Sequence, residues 1–247
     1  MNKIQSSNIL HYEKARIYLI ETKPQVTRKD LIFKRVFDFI FSLLVICFIL
    51  SWLLPILALL IRVNSKGPIF FIQRRTGRNG KSFNCIKLRT MVVNDEANEL
   101  QAQNNDPRIT SFGKLLRITC LDELPQFFNV LIGEMSVVGP RPHMIRDCDE
   151  FSKIIKEYHL RERVKPGITG MAQVRGYRGQ TSDFYDVVHR YKWDMFYVRN
   201  LSLKLDLRII RLTITSTFRA IFAKMIKQEE PILDTPVYSF EATEYLN

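Results

Sequence analysis

The sequence predicts an α+β chain, mainly helical with a small β-hairpin, associated with a membrane through one N-terminal apolar helix and through amphipathic helices. Three observations carry this prediction: an uncharged run from Phe39 to Ile61, two short apolar segments around Asn79-Gly80, and helical recurrence of apolar residues over 111–133 and 207–225. At 247 residues and 29.1 kDa the chain has room for one ordinary core with appendages. Its 46% hydrophobic and 25% charged residues exclude wholesale disorder, collagen-like repeats and a small disulfide scaffold. With a single long apolar run, a polytopic bundle is excluded as well.

Residues 1–30 are polar and mixed, and are expected to form a cytosolic extension. The membrane helix is expected within 31–66, and its apolar run of about 23 residues is interrupted only by Ser42, Ser51 and Pro55, long enough to reach across a hydrocarbon core. A cleaved leader is not expected, because nearly forty residues precede the run and no small-residue cleavage site follows. Arg28, Lys29, Lys34 and Arg35 stand before it, and Arg62, Lys66, Arg74, Arg75 and Arg78 after it. Neither flank therefore prefers to be translocated. The segment is expected to enter one leaflet and return, bent near Pro55, with the Ser51 hydroxyl satisfying a freed carbonyl. Simple spanning and a buried core helix are the alternatives.

Asn64-Ser-Lys-Gly-Pro68 reads as a turn leading into a domain over 67–200. Ile69–Arg74 and Ser82–Lys87 read as a hairpin whose loop contains Asn79-Gly80. Helical spacing covers 111–133, Pro140-Arg141-Pro142 reads as a rigid extended loop, and Lys165–Gly170 as another ordered loop. Within 201–247, Leu207, Ile210, Ile214, Phe218, Ile221 and Met225 recur at spacings of three and four beside Arg208, Arg211 and Arg219. Such a basic amphipathic helix suits an anionic lipid surface or packing on the domain core.

A formal charge of +12 points to an anionic partner. The four cysteines are isolated from one another, with no CxxC pair and no zinc spacing, which reads as a reduced, cytosol-facing chain. The adjacent carboxylates Asp122 and Glu123, followed by Pro125, sit among apolar residues, and the same chain carries Lys87, Arg89, Arg108, Arg117, Arg141 and Lys165 as candidates for phosphate groups.

The motifs run in a fixed order: Lys34-Arg-Val-Phe-Asp38, Gly67-Pro-Ile-Phe-Phe71, Gln73 with Arg75 and Gly77, Lys87-Leu-Arg-Thr-Met91, Asp106-Pro-Arg-Ile-Thr110, Leu121-Asp-Glu-Leu-Pro-Gln126, Val138-Gly-Pro-Arg-Pro142, and Arg163-Val-Lys-Pro-Gly-Ile-Thr-Gly170. From about residue 32 to 215 the chain resembles the bacterial sugar transferases, the monotopic polyprenol-phosphate phosphoglycosyl transferases. The resemblance implies a catalytic domain facing the cytosol at the bacterial inner membrane. It implies transfer of a sugar 1-phosphate from a UDP-sugar to undecaprenyl phosphate, releasing UMP, as the first membrane step of polysaccharide or glycoconjugate assembly. Asp122 is the implied nucleophile, forming a phospho-Asp intermediate in a ping-pong reaction, and Glu123 the implied ligand of Mg²⁺. Substrate binding is implied for Lys87, Arg89, Arg108, Arg141, Gln73, Arg75, Thr169 and Gln173, and lipid-headgroup contact for Lys34, Arg35 and Asp38.

This chain departs from the family's pattern where Trp52 follows Ser51 and the proline comes at Pro55, and where Cys120 stands in place of a common Ser and Leu88 in place of a common Phe. The stretch Gly176-Tyr-Arg-Gly-Gln-Thr181 resembles members that transfer hexose 1-phosphates, favouring UDP-glucose, with an N-acetylated amino sugar left open. A homo-oligomer is also left open. Two alternatives accompany this reading: a membrane-anchored basic binding module without catalysis, and hydrolysis of the same intermediate by water. Nucleic acid is not an expected partner, since no helix-turn-helix, RNA-recognition or zinc-finger pattern is present.

Overall fold

A computed structural model describes residues 27–94, 102, 106–178 and 184–225. The polar extension up to residue 26, Gly179-Gln180-Thr181, and the tail after residue 225 lie outside the described residues.

Helix α1 (Arg28–Val45) starts three residues before the expected boundary, because Thr27 and Asp30 form a reciprocal capping box. A five-residue π turn, Ile46–Leu50, joins it to α2 (Ser51–Asn64). Pro55 lies inside α2, where it lacks an N–H and crowds the carbonyl four residues back, that of Ser51. The widened turn sits just upstream, with the Ser51 N–H reaching back to the Ile46 carbonyl. The next two carbonyls are satisfied by side chains. As expected, the Ser51 hydroxyl donates to Cys47 O at 2.6 Å, and the indole N–H of Trp52 donates to Phe48 O at 2.8 Å. Trp52, a departure from the family's pattern, thus bonds within the widened turn, and the chain stays helical from Arg28 to Asn64.

Only 17% of the most apolar 18-residue stretch of this helix pair is buried, so it is not a core helix. Phe33, Phe48, Trp52, Leu59 and Val63 are all more than half exposed. Both arms nevertheless rest on one domain. On α1, Arg35 donates to the Val130 and Leu131 carbonyls at 2.6 and 2.8 Å, and Asp38 accepts from the Val137 N–H at 3.0 Å. On α2, Leu57 and Ile61 pack with Leu88 and Leu116.

The hairpin forms as expected. Strands β1 (Phe70–Thr76) and β2 (Ser82–Leu88) pair antiparallel with Gln73 opposite Cys85 and Phe71 opposite Lys87, and Asn79 and Gly80 take the positive φ that the tight connection needs. Because directly opposed residues share a face, this register puts Gln73, Arg75, Cys85 and Lys87 on one side.

The 111–133 helix is interrupted. Helix α3 (Ser111–Thr119) ends at Cys120, whose φ is +59°, a short 3₁₀ turn carries Leu121–Glu123, and α4 (Gln126–Ile132) begins after Pro125. The left-handed residue terminates the first helix as a glycine usually does, and Pro125 starts the second. Asn129 on α4 accepts from the Ile86 N–H at 3.1 Å and donates to the Asn84 carbonyl at 2.8 Å, fixing α4 to β2.

Lys165–Gly170 is more than a loop: β4 (Gly167–Thr169) pairs parallel with β3 (Ser136–Val138). Gly139 and Gly167 permit this approach, since a Cβ on Gly139 would lie 2.4 Å from the Lys165 carbonyl. Helices α5 (Ile145–Ile154) and α6 (Met171–Val174) follow β3 and β4, and α7 (Phe184–Asn200) is the central core helix, burying Val188, Tyr191, Met195 and Tyr197.

Helix α8 (Leu203–Met225) does not begin a separate surface segment. Leu205 and Ile209 belong to the main apolar cluster and Asp206 is fully buried, so the domain expected over 67–200 closes only with α8. Farther along, Leu207, Ile214, Phe218 and Phe222 are more than half exposed, beside exposed Arg208, Arg211 and Arg219. Packing on the domain core thus holds for the first turns of this helix, and its later turns expose an apolar and basic face.

Candidate active site

Asp122 and Glu123 lie on the 3₁₀ turn between α3 and α4, and both are buried. Their surroundings differ. Glu123 Oε1 accepts from Lys87 Nζ at 3.0 Å and from Arg141 Nη2 at 2.7 Å, while Oε2 accepts from Arg141 Nη1 at 3.3 Å. Among the described residues no hydrogen bond or ion pair reaches the Asp122 carboxylate. Burial, and then the neighbouring Glu123 charge, raise the Asp122 pKa above the usual carboxylate range. At Glu123 burial acts in the same direction, but Arg141 and Lys87 outweigh it and hold this carboxyl well below its ordinary value.

Two further cations complete the cluster. Arg117 on α3 acts electrostatically on Asp122, and its buried Nη1 has no partner among the described residues. Arg178 acts on Glu123 and donates to Cys120 Sγ at 2.7 Å. Four cations around two carboxylates leave an excess of two positive charges, suited to an anion that carries several.

Arg141 is presented by a loop with little freedom. Pro140 and Pro142 have no N–H, and four successive carbonyls each accept a donor: Pro140 from the Gly167 N–H at 3.0 Å, Arg141 from Arg161 Nη2 at 2.6 Å, Pro142 from Arg75 Nη1 at 3.4 Å, and His143 from the Thr76 N–H at 3.0 Å. The expected rigid, extended loop is therefore present and is strapped from four sides.

A family model described as bacterial sugar transferase matches residues 29–220. The chain belongs to that family. It is 46% identical over 190 residues to the UDP-glucose:undecaprenyl-phosphate glucose-1-phosphate transferase of Klebsiella pneumoniae, a match covering 76% of this chain and 41% of that protein. It is 44% identical over 192 residues to the exopolysaccharide production protein PSS of Rhizobium leguminosarum bv. phaseoli, covering 76% of this chain and 96% of that protein. A third relative is the UDP-N-acetylgalactosamine-undecaprenyl-phosphate N-acetylgalactosaminephosphotransferase of Aeromonas hydrophila, 43% identical over 158 residues, covering 64% of this chain and 37% of that protein. The chain spans less than half the length of the first of these curated relatives.

The residues that resemblance to the family marks are not all brought to this site. Lys34, Arg35 and Asp38 are each held by partners within the protein. Lys34 forms a buried ion pair with Asp206 at 2.6 Å, Arg35 caps the end of α4, and Asp38 holds the Val137 N–H. Arg89 is likewise engaged within the protein, donating to the Ser65 and Lys66 carbonyls at 2.7 Å each and so fixing the turn after α2. Gln73 and Arg75 bond to each other and stand under the Pro142 and Met144 backbone and side chain, respectively through Arg75 and Gln73. They support the Arg141 loop. Arg108 forms a bidentate pair with Asp106 at 2.7–2.9 Å. Thr169 bonds Thr213 on α8 at 2.6 Å, and Gln173 donates to the Ile168 carbonyl at 3.2 Å while its own buried Oε1 has no partner among the described residues. Arg117 and Arg178 join the cluster although the family's motifs do not mark them for substrate; Arg117 is one of the candidate phosphate cations, and Arg178 lies in the Gly176-Tyr-Arg-Gly-Gln-Thr181 stretch.

Mg²⁺ fits this donor set in a restricted way. No group of three or more His, Cys, Asp or Glu side chains gathers among the described residues, so an all-protein cage is not offered. Glu123, whose oxygens are shared with Lys87 and Arg141, and Asp122, without a partner among the described residues, would offer the hard oxygens that Mg²⁺ takes when waters and substrate phosphates provide the remainder.

Proposed function

We propose that this chain transfers a sugar 1-phosphate from a UDP-sugar to undecaprenyl phosphate, releasing UMP, by way of a phospho-Asp122 intermediate. The observation that carries the reading is the division of labour in the carboxylate pair: Glu123 bears the cations, and Asp122 has no partner among the described residues. In the first step an Asp122 oxygen attacks the phosphorus bonded to the sugar, and the pyrophosphate bridge breaks with its electron pair leaving on UMP. In the second, a phosphate oxygen of the lipid attacks the same phosphorus and the Asp122 carboxylate departs, restoring the enzyme. Lys87, Arg117, Arg141 and Arg178 would hold the phosphate oxygens and stabilise charge as it develops. Mg²⁺, held by Glu123 with Asp122 beside it, would supply charge neutralisation at the pyrophosphate.

Support for the donor comes from the relatives named for UDP-glucose, and the relative named for UDP-N-acetylgalactosamine keeps the second class in view. Protein solubilised in detergent, given Mg²⁺ and a panel of UDP-sugars, should release UMP with one sugar and only when undecaprenyl phosphate is present. Release without the lipid would favour hydrolysis. Silence across UDP-sugars and other nucleotide sugars from folded protein would favour the binding module.

The pH dependence follows from the raised pKa of Asp122. Attack requires the carboxylate, and the proton is bound at a higher pH than by an exposed aspartate. The acid limb of kcat/KM should therefore lie above the ordinary value of about 4. A limb at or below that value would remove Asp122 as the titrating group.

The same reading seats α1 and α2 in one leaflet. A straight crossing would set the ends of the apolar run about 30 Å apart on opposite faces of the hydrocarbon layer, yet Asp38 and Ile61 contact one domain. The exposed apolar and basic face of α8 would lie along the same surface. In intact cells, a membrane-impermeant thiol reagent should leave a Leu10→Cys variant unlabelled; labelling from outside would establish a crossing.

A further inference from the structure

We infer that the buried Arg161–Asp194 pair is the positioning unit of Arg141, setting how the cationic loop meets phosphate. Arg161 lies on the 3₁₀ segment Tyr158–Arg163 and Asp194 in the middle of α7. Both side chains are almost fully buried, at 3% and 2% exposure. Asp194 Oδ2 accepts from Arg161 Nε at 2.9 Å and from Nη2 at 2.7 Å, and that same Nη2 donates to the Arg141 carbonyl at 2.6 Å.

Three considerations make this more than a buried polar group finding a partner. First, an ion pair in an apolar interior adds little net stability over well-packed apolar residues, because both charges lose their water. A lone carbonyl would be satisfied by a far cheaper donor, such as a hydroxyl. Second, among the four donors that hold residues 140–143, Arg161 alone grips the carbonyl of the residue whose side chain reaches Glu123. The planar fork, held at two nitrogens by Asp194, cannot swing away from that carbonyl. Third, Arg161 is itself braced, with its guanidinium 5.2 Å from the Tyr158 ring centroid and Tyr158 hydrogen-bonded at 2.7 Å to His143 in the same loop. Arg161 is thus a positioning residue that acts through Arg141 without a place at the carboxylates. A displacement of about 1 Å in a phosphate-holding group is enough to cost roughly 10²-fold in turnover.

The inference rests on the proposed function only for the class of ligand, a phosphate anion, and its test separates the two. Pyrophosphate binding and UMP release are measured on the full chain for the natural protein, Arg161→Lys, Arg141→Ala and the double variant. Lysine keeps a charge for Asp194 but has one nitrogen where arginine anchors itself through two, so the direction of its donor toward the Arg141 carbonyl is no longer fixed. Arg161→Lys should lower UMP release by roughly 10- to 100-fold and weaken pyrophosphate binding. In the Arg141→Ala background the same substitution should change each by less than about threefold, because the two residues act as one unit. Equal losses in both backgrounds, or no loss in either, would overturn the inference. So would failure of the natural protein to bind pyrophosphate. If it binds pyrophosphate with the coupling described but releases no UMP from any UDP-sugar, the inference stands and the proposed function falls. Should melting and circular dichroism show that Arg161→Lys does not fold, Asp194→Asn, which keeps the shape and removes the anchoring charge, takes its place in the same cycle.

Discussion

Asp122→Asn should reduce UMP release by at least about 10³-fold and leave no sugar-phosphate adduct on the protein. Asparagine matches the carboxylate in shape, and among the described residues no donor bonds to Asp122, so the loss would come from chemistry and leave the fold intact. The sign of the stability effect provides an internal check. A buried carboxyl whose folded pKa lies above its unfolded value destabilises the folded state once it is ionised, a cost that grows as pH rises from the ordinary carboxylate value and is complete above the folded pKa. Removing that charge should leave the melting temperature at pH 8 unchanged or higher. Full activity in Asp122→Asn would rule the residue out as nucleophile, and an inactive, unfolded variant would show a structural role instead.

The second large effect is on stability, at a site far from the carboxylates. Lys34→Met should destabilise the protein by about 3–5 kcal/mol, the usual consequence of leaving one partner of a buried pair alone. The stranded group is Asp206, which has no exposure, and whose other oxygen lies 2.8 Å from the Tyr197 hydroxyl. Burial already raises the Asp206 pKa, with Lys34 as the main opposing influence, so without Lys34 the carboxyl will bind a proton more readily still. The deficit should therefore be full near neutral pH and shrink as pH falls and Asp206 becomes neutral. Thermal melts in detergent across this range would show it. A melting temperature unchanged at neutral pH would mean that the pair contributes nothing to holding α1 on α8.

The sequence made the hairpin readable because Asn79-Gly80 supplies residues that tolerate positive φ, and it made the carboxylate pair readable because two acids beside a proline stand out in an apolar stretch. The break after α3 was hidden: its left-handed position is filled by Cys120, and no glycine advertises it. The β3–β4 pairing was hidden too, since strands of three residues are too short for any periodicity. Long-range partners were hidden for one reason. The resemblance marks Lys34, Arg35 and Asp38 for a lipid headgroup, while the groups that hold them within the protein lie 95–172 residues away and appear only when the chain is folded. Arg89 likewise turns on carbonyls 23 and 24 residues earlier. Conversely, Arg178 belongs to the cluster only because the chain after α6 returns to Cys120.

The 172-residue separation of Lys34 and Asp206 also sets a timetable. At roughly 5–20 residues per second of synthesis, α1 waits on the order of 10–35 s before the residue that anchors it has been made. During that interval Lys34 has a provisional companion one helical turn away, Asp38, which is still 3.9 Å distant in the finished structure. An i,i+4 pairing can thus offset the two charges of α1 until α8 arrives and supplies the ion pair that ties the first described helix to the last.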